Sequence, residues 1–171
     1  LAEGKESAPG QITAKMLRDI YRVDKIAGDW ESYGLIGNPV SQSKSYLIHN
    51  LAFKELGMKK VFVPFLVEDL DDFMGSFGSI LSGFAVTMPW KEQMLKYVDS
   101  IGTVKQLGAV NTIVRMKDFR GYNTDGRAAV SCIEECIKEK NLGDLKEKKV
   151  VIIGAGGTAR AIVCGLAGKC K

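Results

Sequence analysis

A single histidine, His49, stands in the whole 171-residue chain. A zinc site of the usual kind needs several nitrogen or sulfur ligands converging on one point. A histidine-based nucleophile triad needs that residue beside a serine or cysteine and a third orienting group. His49 lies in an expected helix next to Asn50 and reads as a packed or partly exposed helix residue, so neither a metal nor a triad is expected. The four cysteines, Cys132, Cys136, Cys164 and Cys170, all fall in the C-terminal third and include no CxxC spacing. They read as buried or idle thiols of a reducing compartment rather than a disulfide framework or a metal site. Apolar runs fall far short of the roughly 18–20 residues of a spanning helix, and no basic segment followed by an apolar core opens the chain. Neither a membrane span nor a secretory signal is expected. The chain begins at Leu1 rather than Met, which reads as a processed or excised piece.

What is present is ordinary for a globular protein. Apolar residues make up 46% and charged residues 26%, enough apolar material for a core. The length corresponds to about one to one and a half typical domains. The net charge of +4, from 24 basic and 20 acidic residues, is spread along the chain. No arginine-rich run gathers it, so no nucleic-acid footprint is expected.

The pattern predicts strand alternating with helix. A polar tail, residues 1–12, precedes a helix from Thr13, its cap. Strands are expected at 33–37, 61–67 and 83–87, the second covered on both faces. Between them, a helix over 45–57 carries an apolar face of Leu47, Ile48, Leu51, Ala52 and Leu56, capped by Ser45 and stopped by Gly57. A short helix follows at 68–77, another at 91–98, then strands near 110–115 and 121–122 joined by a polar turn. This order predicts an α/β domain with a mostly parallel sheet over residues 13–125. A linker helix and charged boundary fill 126–148. Residues 149–171 then begin a second, incomplete α/β unit of strand, turn and helix.

That last stretch carries the most specific pattern. Gly154-Ala155-Gly156-Gly157-Thr158-Ala159 fits G-x-G-x-x-A between an apolar strand, Val150–Ile153, and a helix, the context of a dinucleotide-binding turn. Gly154 permits the tight turn, Gly156 leaves room for a pyrophosphate, and Ala159 lets helix and strand pack closely. The phosphates would meet free N–H groups at the helix start. The acidic or basic residue that selects NAD or NADP about 20 positions on does not lie in the chain.

Four polar clusters sit upstream. In SQSKS (41–45), Ser43 and Ser45 stand at a helix start, either as plain N-caps or as hydroxyls for a small anion such as a carboxylate. In TMPWK (87–91), Thr87 ends a strand and Lys91 follows it, either as a surface lysine or pointing into the crevice where open α/β sheets bind ligands. GAVNT offers Asn111 as an amide reader. YNTDG places Asn123, Thr124 and Asp125 at a helix start, with Asp125 a good cap. Together these suit a small polyol acid.

GNPVSQSKS, GFAVTMPWK, GAVNT, YNTDG and VVIIGAGGTARA, in this order and at these gaps, resemble shikimate dehydrogenase from residue 33 to about 168. The resemblance implies a substrate-binding domain followed by a Rossmann unit, and reversible NADPH-dependent reduction of 3-dehydroshikimate to shikimate in aromatic amino acid biosynthesis. It implies Ser43 and Ser45 on the substrate carboxylate, and Thr87, Asn111 and Asp125 on the ring hydroxyls. Lys91 and Asp125 would be the catalytic pair, with Gly154, Ala155, Gly156, Gly157, Thr158 and Ala159 on NADP. The family's Asn-Arg-Thr segment, which grips the 2′-phosphate, and its late glutamine are absent from the chain.

Three positions depart from the family pattern: Gln42 stands where His is common, Tyr46 where Pro is usual, and Trp90 where His or Phe precedes Lys91. Keeping both Ser43 and Ser45 favours shikimate over quinate. The alternatives are a quinate/shikimate dehydrogenase using NAD and a non-catalytic substrate-binding fragment.

The opening GKESAPGQI resembles the final loop of type I dehydroquinate dehydratase, with Ser7 and Gln11 at the positions that approach the substrate carboxylate. That implies a fusion of dehydratase and dehydrogenase, located in the cytoplasm, or in the plastid of a plant.

Overall fold

The computed structural model describes residues 11–100 and 103–170, and the chain divides into two compact units, one ending at Trp90 and the other beginning at Lys91. The division falls upstream of the 126–148 stretch expected as the boundary. The expected tail lies outside the described residues except for Gln11 and Ile12.

In the first unit the strand–helix alternation resolves into β1 (Glu31–Gly37), α2 (Ser45–Glu55), β2 (Lys60–Leu66), α3 (Leu70–Phe77) and β3 (Gly83–Val86), preceded by α1 (Ala14–Asp19). The strands are parallel with β1 central. Register runs from Glu31 opposite Lys60 to Gly37 opposite Leu66, and from Tyr33 opposite Gly83 to Ile36 opposite Val86. Helical crossovers are what parallel pairing demands. Leu35, Ile36, Val61, Phe62, Phe73, Met74, Phe84 and Val86 form the buried core.

Local signals explain most of the element ends. Thr13 caps α1, its hydroxyl accepting from the Met16 N–H, and Gly57 stops α2 in the left-handed region at φ +63°. Three expectations are corrected. Ser45 does not cap α2; its N–H instead donates to the Ser43 hydroxyl at 3.2 Å. The expected apolar face of α2 is turned to solvent at Ile48, Leu51 and Leu56. What α2 buries is Asn50, whose Nδ2 donates to the Phe62 carbonyl at 2.8 Å and whose Oδ1 accepts the Phe62 N–H at 2.9 Å. A buried strand edge must satisfy both backbone groups, and one amide side chain does so here. Strand β2 is not covered on both faces, for Leu66 is exposed.

The second unit holds β4 (Asp99–Ser100), α4 (Thr103–Leu107), the hairpin β5 (Thr112–Arg115) and β6 (Phe119–Tyr122), then α5 (Asp125–Glu139) and α6 (Gly157–Leu166). Strands β5 and β6 pair antiparallel, and β4 and β6 parallel. The helix expected over 91–98 is a tighter 3₁₀ turn, Gln93–Tyr97. Helix α5 packs on α6 around Val130, Leu145 and Leu166, joined by half-buried Ile133, Ile137, Val150 and Ile152.

The strand expected at Val150–Ile153 is not formed among the described residues. Val151 is 85% and Ile153 98% exposed, while Val150 and Ile152 pack inward. Alternation survives, but a strand exists only through ladder bonds to neighbours, and this segment makes none there.

Candidate active site

In the first unit the Ser43 hydroxyl donates to that of Ser45 at 2.9 Å. Both side chains are half-buried, at the start of α2 where Lys44 supplies no capping side chain. Thr87 follows β3 and is packed against Gly37: a Cβ built on Gly37 would lie 2.2 Å from Thr87 Cγ2.

Two of the three residues at which the chain departs from the expected pattern, Trp90 and Tyr46, are anchored. The Trp90 indole N–H donates to the Val67 carbonyl at 3.0 Å. The Tyr46 ring stacks on Tyr21 at 5.9 Å and 3° between planes, and burial, with Tyr46 adding, pushes the Tyr21 hydroxyl up to about 12.

In the second unit Lys91, Asn111, Asp125 and Thr158 meet. Lys91 Nζ lies 2.7 Å from Asp125 Oδ2, with the two side chains 19% and 20% exposed. Asn111 Nδ2 donates to Asp125 Oδ1 at 2.7 Å, and its Oδ1 accepts the Thr124 N–H at 3.0 Å. Thr158 Oγ1 lies 2.9 Å from Lys91 Nζ and 3.0 Å from Asp125 Oδ2.

Asp125 was expected as a cap. The cap position is instead Thr124, which makes no side-chain capping bond, and the Asp125 N–H is taken by Asn123 Oδ1 at 3.0 Å while Asn123 Nδ2 is tied to the Ala109 carbonyl. This frees the Asp125 carboxylate to face Lys91. Burial alone would raise the Asp125 carboxyl, but bonds from Lys91 and Asn111, the Lys91 charge and the Thr158 hydroxyl outweigh it and hold it below 3.8.

The glycine-rich turn leads into α6. Gly154 has φ +116°, a conformation that favours glycine. No atom lies within 4 Å of a Cβ built on Gly154 or Gly156, so both face open space. Gly157 is used differently, since its Cβ would meet Ala109 Cβ at 2.8 Å. No side chain caps α6 at Gly156, which leaves its first-turn N–H groups for an anion. A cavity of about 510 Å³ runs along Gly154, Ala155, Ala159 and Arg160. The turn thus has the space and the donors that a dinucleotide pyrophosphate requires.

The cysteines are free, and Cys132, Cys136 and Cys164 are exposed rather than buried. His49 stacks on Phe62 at 4.4 Å. Among the described residues no group of three or more His, Cys, Asp or Glu is placed to hold a metal ion, and no helix is long and apolar enough to cross a membrane.

Fold and site together define an α/β protein of the Rossmann-like class that carries a lysine–carboxylate pair in contact with a glycine-rich turn. The chain resembles the shikimate dehydrogenases: its residues 35–113 match the shikimate dehydrogenase substrate binding domain.

It is 40% identical over 96% of its length to the bifunctional 3-dehydroquinate dehydratase/shikimate dehydrogenase, chloroplastic, of Arabidopsis thaliana, of which it spans 30%. It is 42% identical over 80% of its length to the shikimate dehydrogenase (NADP(+)) of Methanobrevibacter smithii, spanning 48% of that protein. The shikimate dehydrogenase of Aquifex aeolicus superposes with a TM-score of 0.76 at 31% identity, covering 85% of this chain and 55% of that one. A shikimate dehydrogenase solved in complex with NADP+ gives 0.73 at 41% identity, covering 85% and 50%. The chain therefore spans about half, or less, of the length of these relatives.

Proposed function

We propose that this chain supplies the substrate-binding half and the first part of the cofactor half of an NADP-dependent shikimate dehydrogenase, reducing 3-dehydroshikimate reversibly to shikimate. The observation that carries the reading is the Lys91–Asp125 pair, 2.7 Å apart, with Asn111 on the second carboxylate oxygen. The names of the relatives support it, as does the open glycine-rich turn.

On this reading residues 13–125 bind substrate, 126–148 form the boundary and 149–171 open the cofactor domain. Ser43 and Ser45 hold the substrate carboxylate, and Thr87, Asn111 and Asp125 contact ring hydroxyls. Gly154, Ala155, Gly156, Gly157, Thr158 and Ala159 hold the pyrophosphate. NADPH, when bound, supplies the hydride. Lys91 donates a proton to the substrate carbonyl oxygen, and its charge stabilises the alkoxide as it forms. Asp125, ionised at neutral pH, only accepts hydrogen bonds; it holds the Lys91 ammonium in place. Fusion to a dehydratase domain, as in the Arabidopsis relative, and a plastid or cytoplasmic location belong to the same proposal.

The test is thermal denaturation of the chain with shikimate and, separately, with NADP+. A ligand that binds only the folded form raises the melting temperature with concentration. A rise with shikimate, absent in Ser43→Ala, supports the reading. No rise at millimolar shikimate refutes it.

A further inference from the structure

The dinucleotide-binding pattern asks nothing of the Thr158 side chain, because the residue after its glycines is free to vary. The structure nevertheless uses that side chain. We propose that Thr158 is a positioning residue for the Lys91–Asp125 pair, its hydroxyl closing the two into a three-membered ring, so that the first turn of α6 sets where the proton-transferring groups stand. The proposal rests on the functional reading above and adds to it a second role for Thr158, carried by the side chain.

The ring is complete in donors and acceptors. Its sides are 2.7 Å from Lys91 Nζ to Asp125 Oδ2, 2.9 Å from Lys91 Nζ to Thr158 Oγ1, and 3.0 Å from Thr158 Oγ1 to Asp125 Oδ2. A hydroxyl carries one hydrogen. Here it is donated to Asp125, while the oxygen accepts from Lys91. The hydroxyl therefore has no hydrogen left for a phosphate, and what Thr158 offers an anion at this turn is its backbone N–H. Asn111 occupies Asp125 Oδ1, so the carboxylate cannot swing away without losing one of its three partners.

Several contacts hold Thr158 at this place. Ala161, three residues on and on the same face of α6, lies against Gly126, where a Cβ would stand 2.2 Å from the Ala161 carbonyl oxygen. Gly126 directly follows Asp125, so backbone contact between α5 and α6 fixes the hydroxyl opposite the carboxylate. Gly157 packs on Ala109 from the other side. Arg160 of the same turn is ion-paired with Glu92, the neighbour of Lys91. The β-branched side chain is itself confined to few rotamers in a helix.

The test compares Thr158→Val and Thr158→Ala, which remove the hydroxyl, with Thr158→Ser, which keeps it. Carbon-detected NMR of the Asp125 carboxyl follows its titration in this chain. The expected result is a titration midpoint moved to higher pH in the Val and Ala variants and kept at the wild-type value in Ser. In a polypeptide joining this chain to a complete cofactor half, Thr158→Val lowers kcat for shikimate oxidation by about tenfold with KM within about twofold, and Thr158→Ser restores it. An unmoved Asp125 midpoint in both Val and Ala overturns the proposal, as does a Ser variant that behaves like Val. A wild-type protein that fails to oxidise shikimate, with the NMR pattern still present, defeats the functional reading and leaves the placement of Thr158 supported.

Discussion

Gly126 and Ala161 touch backbone to backbone: a Cβ on Gly126 would lie 2.2 Å from the Ala161 carbonyl oxygen. Gly165, one turn further along α6, leaves only 3.1 Å between its own missing Cβ and the Gly126 carbonyl oxygen. The crossing of α5 and α6 is therefore set by main chain, and a rigid backbone cannot yield as a side-chain tip does. Gly126→Ala is expected to lower stability by roughly 1–3 kcal/mol, the usual cost of overpacking. Urea denaturation measures it, and a variant within 0.5 kcal/mol of wild type, the ordinary scatter of neutral substitutions, would show that the helices can part freely.

Asn50 is the second structural test. Its amide satisfies both the N–H and the carbonyl of Phe62. Asn50→Ala leaves two buried backbone groups without a partner, at about 1–3 kcal/mol for each. Asn50→Ala should therefore cost more in denaturation midpoint than truncating the neighbouring exposed Leu51 to alanine, although leucine has the larger apolar side chain.

Lys91→Ala is expected to cut turnover by roughly 10²–10⁴, the usual worth of a general acid, with shikimate affinity little changed. Single-turnover kinetics in a polypeptide with a complete cofactor half separate the two effects. Near-normal turnover would remove Lys91 from the reaction.

Acid should weaken the fold through Asp125. Its folded-state carboxyl is held below 3.8 by Lys91, Asn111 and Thr158 against the opposing effect of burial. A depressed carboxyl contributes stability that is fully present above its unfolded value, about 3.9, and is lost as pH falls through the folded value. The stability difference between wild type and Asp125→Asn should therefore be flat from pH 5 to pH 7 and shrink below about pH 4. Denaturation midpoints across that range decide it, and a difference that grows on acidification would reverse the assigned sign.

Gly37→Ala tests the seat of Thr87. The added methyl would lie 2.2 Å from Thr87 Cγ2 and 3.1 Å from the Met88 carbonyl oxygen, so the Thr87 side chain must move. Shikimate binding should weaken by about tenfold, or about 1.4 kcal/mol, as read by calorimetric titration. Unchanged affinity would take Thr87 out of the substrate contacts.

Strand–helix alternation, the Thr13 cap and the Gly57 stop were legible because each rests on local chemistry: a run of apolar residues, a hydroxyl at the right offset, a left-handed turn. The lysine, amide and carboxylate of the candidate site were also legible, since motif order carries them. What stayed hidden depends on partners distant in sequence. The apolar residues of α2 suggested an inward face, yet the helix turns Asn50 inward because the edge of β2 needs two hydrogen bonds there. Val150–Ile153 has a strand's composition, but pairing belongs to neighbours rather than to the segment. Asp125 looked like a cap, but it is the first residue of α5 and its own N–H goes to Asn123. Thr158 sits at a position whose pattern permits any residue, so nothing in its own neighbourhood marks it as a partner of Lys91.

The chain contains two tryptophans, and they stand in unlike surroundings. The Arg22 guanidinium lies 4.5 Å over the ring of Trp30. Trp90 is pinned by its indole N–H to the Val67 carbonyl and directly precedes Lys91. The second indole is therefore an optical reporter built into the loop that delivers the lysine. With Trp30 replaced by phenylalanine, all tryptophan emission would come from that one position, and the colour of the light would follow whatever disturbs it.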